Sequence, residues 1–190
     1  MDHYSVKDLM VPISEYATVP LGTSLLDAIN VLERVQAAYT SSKYQHRAIL
    51  VLDDDGDVVG KIGQLRVLKA VETRPDLTSE LEELEKFNFS SEYMVSRQEQ
   101  YRLGGPILRK EALQAAAAKK VEEFMQKPTP GEYVAEDSTL DHAIHKLIAG
   151  THFSLLVTRN GKIVGILRIA DVFAAVYHEM KSQRIGPPTG

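Results

Sequence analysis

Cysteine is absent from the 190 residues. Disulfides, thiolate nucleophiles and cysteine metal sites are therefore excluded, and a reducing, cytoplasmic setting is the natural expectation. A basic excess is also lacking. The formal net charge is -4, with a pI near 5.9, which argues against binding nucleic acid along its phosphates. No apolar run approaches the length of a bilayer span, because the blandest stretch, Ala115 to Ala118, meets lysines at once. MDHYSVKDLM has no basic segment leading into an apolar one, so neither a signal peptide nor a membrane role is expected. No G-x-x-x-x-G-K-[ST], G-x-S-x-G or H-E-x-x-H motif occurs, and nothing pairs a nucleophile with a base. Catalysis is not expected.

What is present is repetition, which is sought before any finer pattern. Val6 to Ile29 aligns without a gap on Val121 to Ile144 at an offset of 115. The six identities, Val6/Val121, Met10/Met125, Val19/Val134, Leu25/Leu140, Ala28/Ala143 and Ile29/Ile144, are all apolar, as a shared core requires. Farther on, Leu50 to Val71 aligns on Leu155 to Val176 at an offset of 105, with Gly56/Gly161, Val59/Val164, Gly60/Gly165 and Val67/Val172 coinciding. The first copy thus carries ten extra residues, within Arg34 to His46.

Each copy reads as β-α-β-β-α. A strand ends near Val19 or Val134, and a helix follows with Thr23 or Ser138 as N-cap. In the second copy its stripe is Leu140, Ala143, Ile144, Leu147 and Ile148, with Gly150 as the stop. Two apolar strands come next, Ala48 to Leu52 and Val58 to Ile62, or Phe153 to Val157 and Ile163 to Leu167. Asp55-Gly56 and Asn160-Gly161 supply the hairpin turns. A last helix starts near Leu65 or Ile169. Between the copies, Pro75 and Asp76 break the first, LTSELEELEKF has Leu77, Leu81 and Leu84 on one side, and RLGGP is a second break. ILRKEALQAAAAKKVEEFM then predicts one long helix, with Pro106 at its start. Such a stretch is too patterned for a bare linker, and its helices are expected to pack on the pair or on a second subunit.

Two constellations carry less than they promise. DDDGD (Asp53 to Asp57) invites a calcium loop, but position twelve is Gln64 where a glutamate is needed. His142 and His145 lie three apart with no further ligand pair, which fits a solvated helix face better than a metal site. His46 and His152 open strands.

The double β-α-β-β-α unit, the DG and NG hairpins and the glycine-led strand before the last helix resemble a tandem pair of CBS (cystathionine beta-synthase) domains, a Bateman module. The resemblance implies an α/β (α+β) fold of two CBS repeats packed with pseudo-twofold symmetry, plus inserted helices. The units would be residues 1–73, an insert over 74–120, residues 121–180 and a flexible tail over 181–190. It implies two clefts that take adenosine-containing ligands such as AMP, ADP, ATP or S-adenosylmethionine, a homodimer, and regulation of a separate protein partner. The alternative is a structural or interaction module whose clefts stay empty.

The family's ligand motif is glycine, two residues, Thr or Ser, two residues, then Asp or Asn, the acid holding the ribose hydroxyls. In the second copy Gly165-Ile166-Leu167-Arg168-Ile169-Ala170-Asp171 keeps the acid and replaces the hydroxyl residue by Arg168. In the first copy both polar positions have changed, to Gly63 and Arg66. Two readings of Asp171 stand side by side, a first-turn carboxylate favoured by the helix dipole or the ribose acceptor. Arg168 either meets a phosphate or pairs with Asp171 and closes an empty cleft. Arg66 either adds to the same field or fills its own cleft. By the same analogy the adenine walls would come from Tyr133, Val134 and Ala135, from His152 and Phe153, and from Ile166.

Overall fold

The computed structural model describes residues 4–39, 45–72, 82, 84–104 and 108–182. In chain order the elements are α1 (Val6–Leu9), β1 (Val11–Pro12), β2 (Thr18–Pro20), α2 (Leu25–Ala38), β3 (Ala48–Leu52), β4 (Val58–Gly63), α3 (Gln64–Val71), α4 (Ser91–Arg102), α5 (Lys110–Ala118), β5 (Tyr133–Ala135), α6 (Leu140–Ala149), β6 (Ser154–Arg159), β7 (Lys162–Arg168) and α7 (Ile169–Ser182). The repeat is therefore β2-α2-β3-β4-α3 and then β5-α6-β6-β7-α7, an α/β fold with two sheets. Pro75, Asp76, Leu77, Leu81, Pro106 and the ends at 1–3 and 183–190 lie outside the described residues. Among those that are described, no helix is long and apolar enough to cross a membrane.

One sheet has the order β2-β3-β4 and the other β1-β7-β6-β5. In both, the first strand of the copy runs parallel to the second, and the last two are antiparallel. Strands β3 and β6 are buried along most of their length. Each has helices on one face and the other sheet on the opposite face, so their apolar runs are continuous rather than alternating. Leu50 of β3, Leu156 of β6 and Ile166 of β7 meet in the cluster between the sheets, together with Val11 and Tyr16.

The two copies are exchanged at their starts. Strand β1 belongs to copy one by sequence but pairs with β7 of copy two, Val11 opposite Ile166. The matching residue of copy two, Gln126, bridges to Lys61 on β4, with both backbone bonds at 2.9 Å. Ser5 bridges to Thr139 and Ser24 to Lys120 in the same reciprocal way. Val6 accordingly lies in the core of copy two and Val121 in the core of copy one. That accounts for their identity across the repeat.

The glycine before the last helix has the same origin. A Cβ on Gly165 would stand 2.6 Å from the Val11 carbonyl oxygen, and one on Gly60 would stand 2.2 Å from Met125 Sδ. Glycine is needed where the other copy's leading segment passes.

Several local expectations shift. The N-caps are Ser24 and Thr139, one residue beyond Thr23 and Ser138, each accepting the N–H three residues on. Ile148 falls off the buried stripe of α6 and is exposed. Gly150 ends α6 in a right-handed conformation, and the left-handed residue is Thr151. Asn160-Gly161 turns with both residues at positive φ, while in the first hairpin only Gly56 does. There the Asp53 carboxylate accepts the N–H groups of Asp55 and Asp57 instead.

The predicted long helix stops at Ala118. Lys119 turns extended, its carbonyl accepts the Leu25 N–H at 2.8 Å, and the Val121 N–H donates to Thr23 at 3.0 Å. Docking of the second leading segment outweighs helix propensity there. Helix α5 packs through Ala116 on Leu25 and Ala70, whereas no described residue of α4 is buried.

Candidate functional site

Asp171 sits in the first turn of α7, one turn after Arg168 closes β7. The two side chains meet across the strand-to-helix junction and pair through two parallel bonds. Arg168 Nε donates to Asp171 Oδ2 at 2.5 Å and Nη2 to Oδ1 at 2.7 Å. Arg168 is 5% exposed, and the Asp171 side chain 12%. Burial works against the Arg168 charge, yet the bonds and charge of Asp171 keep its pKa above the ordinary value.

The rest of the guanidinium faces copy one. Nη1 lies 3.4 Å from His46 Nδ1, and Cζ stands 5.5 Å from the Tyr39 ring centre, within cation–π range. His46 is wedged between Tyr16 and Tyr39, with ring centres at 4.5 and 4.3 Å. Burial first, and the Arg168 charge second, push the imidazole pKa down to about 4. At neutral pH the ring is therefore uncharged. The Arg168 contact assigns Nδ1 as acceptor and leaves the hydrogen on Nε2, which is buried with no partner among the described residues. Burial also pushes the Tyr16 hydroxyl up to about 12.

A cleft of about 500 Å³ opens beside this cluster, within the usual range for small-molecule sites. One wall is the α1–β1 segment, with Met10, Val11 and Pro12. The other is α7, with Asp171, Ala174 and His178, and Tyr39 closes an end. Asp8 and Glu15 line it as well, so its rim is acidic.

The copy-one counterpart is smaller, about 240 Å³, and Arg66 lines it with Lys69 and Lys119. Arg66 thus stands in its own cleft. Nearby, Glu132 of copy two is 1% exposed and accepts from Lys61 Nζ of copy one at 2.6 Å. Gln126 and Thr129 add bonds at 3.2 and 3.3 Å. Burial pushes this carboxyl up, but the Lys61 bond and charge outweigh it and hold the pKa below the ordinary value. At the matching positions the other side has Ala17 and Ile166, both fully buried. At this pair of positions one junction between the copies is ionic and the other apolar.

Of the residues expected as adenine walls, none of Tyr133, Val134, Ala135, His152 and Phe153 lines the Asp171 cleft. Tyr133 packs in the cluster between the sheets, Val134 in the core of copy two, and Ala135 is exposed. His152 lies against Gly150 and Gly131, and Phe153 is 81% exposed. Ile166 is fully buried directly behind Val11. The wall opposite α7 comes from copy one, because β1 has crossed over. Tyr16, Tyr39 and His46 were not singled out for the site. The signal was the repeat itself, since His46 and Tyr16 occupy in copy one the places of Thr151 and Gly131. Among the described residues, no group of three His, Asp and Glu is placed to hold a metal ion.

The sequence matches the CBS domain profile over residues 6–73 and 121–178. The chain belongs to the CBS domain family. No curated protein sequence matches it, but solved structures of CBS proteins share its fold. CBSX2 in complex with AMP is 21% identical, with 93% of this chain and 98% of that one covered and a TM-score of 0.56. CBSX2 from Arabidopsis thaliana is 20% identical over 94% and 97% of the two chains, TM-score 0.57. A CBS domain-containing protein of unknown function from Bacillus anthracis is 19% identical over 94% and 96%, TM-score 0.60. At these identities the likeness is one of fold. Both CBS copies and the exchange between them account for the repeat described above.

Proposed function

We propose that this CBS pair is a regulatory module that binds an adenosyl compound in the Asp171 cleft and acts on a separate protein, as a homodimer. The observation that carries the reading is a partly buried carboxylate with two accepting oxygens on the wall of a cleft of nucleoside size. A vicinal diol can replace the two guanidinium donors on Asp171 one for one. A phosphate on the same ligand can take the place of Asp171 on the Arg168 fork. AMP satisfies both partners at once, as adenosine does not. Asp8 and Glu15 repel further phosphates, so the expected order is AMP, then ADP, then ATP. The complex of CBSX2 with AMP supports this ligand class.

Isothermal titration with adenosine, AMP, ADP, ATP and S-adenosylmethionine tests the reading. AMP should bind more tightly than adenosine by about tenfold, the worth of one charge-assisted bond. Asp171→Asn should weaken all five ligands. Binding that ignores Asp171→Asn, or adenosine binding as well as AMP, would overturn the assignment. The absence of binding by any of the five would instead favour a purely structural pair. The locked Arg168–Asp171 contact favours that second reading, as does the loss of both polar motif residues in copy one, at Gly63 and Arg66.

A further inference from the structure

The two clefts share one frame and carry opposite charge. By the repeat offsets, Lys119, Glu123 and Phe124 fall on Tyr4, Asp8 and Leu9, while Arg66, Lys69 and Ala70 fall on Asp171, Ala174 and Ala175. All six residues lining the copy-one cleft thus have a counterpart in the lining of the other. The scaffold is kept by an acid on an acid, an aromatic on a leucine and an alanine on an alanine. Three positions have changed, each to a cation. In a chain of net charge -4, this concavity gathers three cations against one carboxylate.

The cations are available. Neither Arg66 nor Lys69 makes an ion pair among the described residues. Lys119 Nζ spends one donor on the Ala70 carbonyl at 2.9 Å, which fixes the ammonium at the cleft and leaves two donors. Glu123 is turned to the Lys120 N–H at 2.7 Å. The space is about 240 Å³, or about eight water volumes, below the range of about 300–1,000 Å³ for drug-sized ligands. A nucleotide does not fit this description, whereas a compact anion does.

We propose that the copy-one cleft is a site for a compact phosphoryl anion, of the class of inorganic phosphate and pyrophosphate, held by Arg66, Lys69 and Lys119. Arg66 and Lys69 lie on α3, whereas Lys119 lies where α5 ends and copy two begins. A bound anion therefore ties the last insert helix to copy one. The inference is independent of the adenosyl reading, which concerns the other cleft.

The probe is inorganic pyrophosphate, titrated into the full chain at fixed ionic strength, with phosphate and sulfate as separate arms. Calorimetry gives the affinity and backbone amide NMR gives the place. One saturable site is expected, with shifts confined to α3 and the Ala118–Phe124 junction. Arg66→Gln/Lys69→Gln should weaken it by more than about tenfold, and so should Lys119→Gln, while Asp171→Asn leaves it unchanged. Both replaced side chains of the double variant are at least partly exposed, so that variant should fold. Absence of saturable binding at millimolar pyrophosphate would overturn the proposal. So would equal binding by the double variant, sulfate matching pyrophosphate in every form, or shifts clustered on α7.

Discussion

Replacing Asp171 by alanine should damage the protein more than replacing its partner. Asp171→Ala removes both bonds to Arg168 and leaves a guanidinium that is 5% exposed without that carboxylate. Its Nη1 also lies 3.4 Å from His46 Nδ1. Removing one member of a buried pair costs about 3–5 kcal/mol, and the first-turn dipole interaction adds about 0.3–1 kcal/mol. For a chain of this size, about 2–4 °C of melting temperature goes with each kcal/mol, so a fall of roughly 7–24 °C is expected. Arg168→Met strands the carboxylate instead. Asp171 lies nearer to water, and the helix start still favours it, so this loss should be smaller. Arg168→Met/Asp171→Ala removes the buried guanidinium charge as well, and it should be more stable than Asp171→Ala alone. The assay is urea and thermal unfolding of all four proteins at pH 7, read as a double-mutant cycle. Asp171→Ala within about 1 kcal/mol of the parent, the usual worth of a solvated pair, would refute the reasoning. A double variant as unstable as Asp171→Ala would refute it equally.

Two further outcomes follow from buried groups and from close approach. The folded pKa of His46 is about 4 against an ordinary 6.5, so between those values the unfolded chain binds the extra proton. Stability is therefore complete above about pH 6.5 and falls as pH drops toward 4, with a slope of at most about 1.4 kcal/mol per pH unit, reduced by solvent screening. Denaturant melts across pH should show that slope flattened in His46→Phe, and an unchanged slope would count against the assignment. Gly165→Ala places a Cβ 2.6 Å from backbone oxygen, while Gly60→Ala meets the flexible Met125 side chain. The first should cost about 1–3 kcal/mol and the second less, and urea midpoints in the reverse order would contradict the packing account.

Much of the architecture was legible because the repeat repeats its physics. Strand β3 was expected over the span it occupies, and the β-α-β-β-α order holds twice. The errors share a cause. The caps slipped by one residue because Thr23-Ser24 and Ser138-Thr139 each offer two suitable hydroxyls, and only geometry selects between them. The helix through Lys119 failed because Ala- and Lys-rich sequence favours helix locally, while the bonds that break it reach Leu25 and Thr23. The crossing of β1 to copy two is not legible, because order along the chain does not reveal which copy a two-residue strand joins. Val11–Pro12 is too short to show any alternation. The Arg168–Asp171 contact was readable as a possibility from its spacing of three. The stacking of Tyr16, His46 and Tyr39 on it was not, since it spans 122 positions from His46 to Arg168.

Because each half keeps its opening valine inside its sibling, the molecule behaves as a clasped pair rather than two beads on a string. A protease that nicks the chain in the stretch joining them severs covalent continuity without freeing either piece. The nicked protein should migrate as two bands in detergent, yet elute as one particle under native conditions. Prising it apart means emptying both sockets, those of Val6 and Val121, in a single cooperative step.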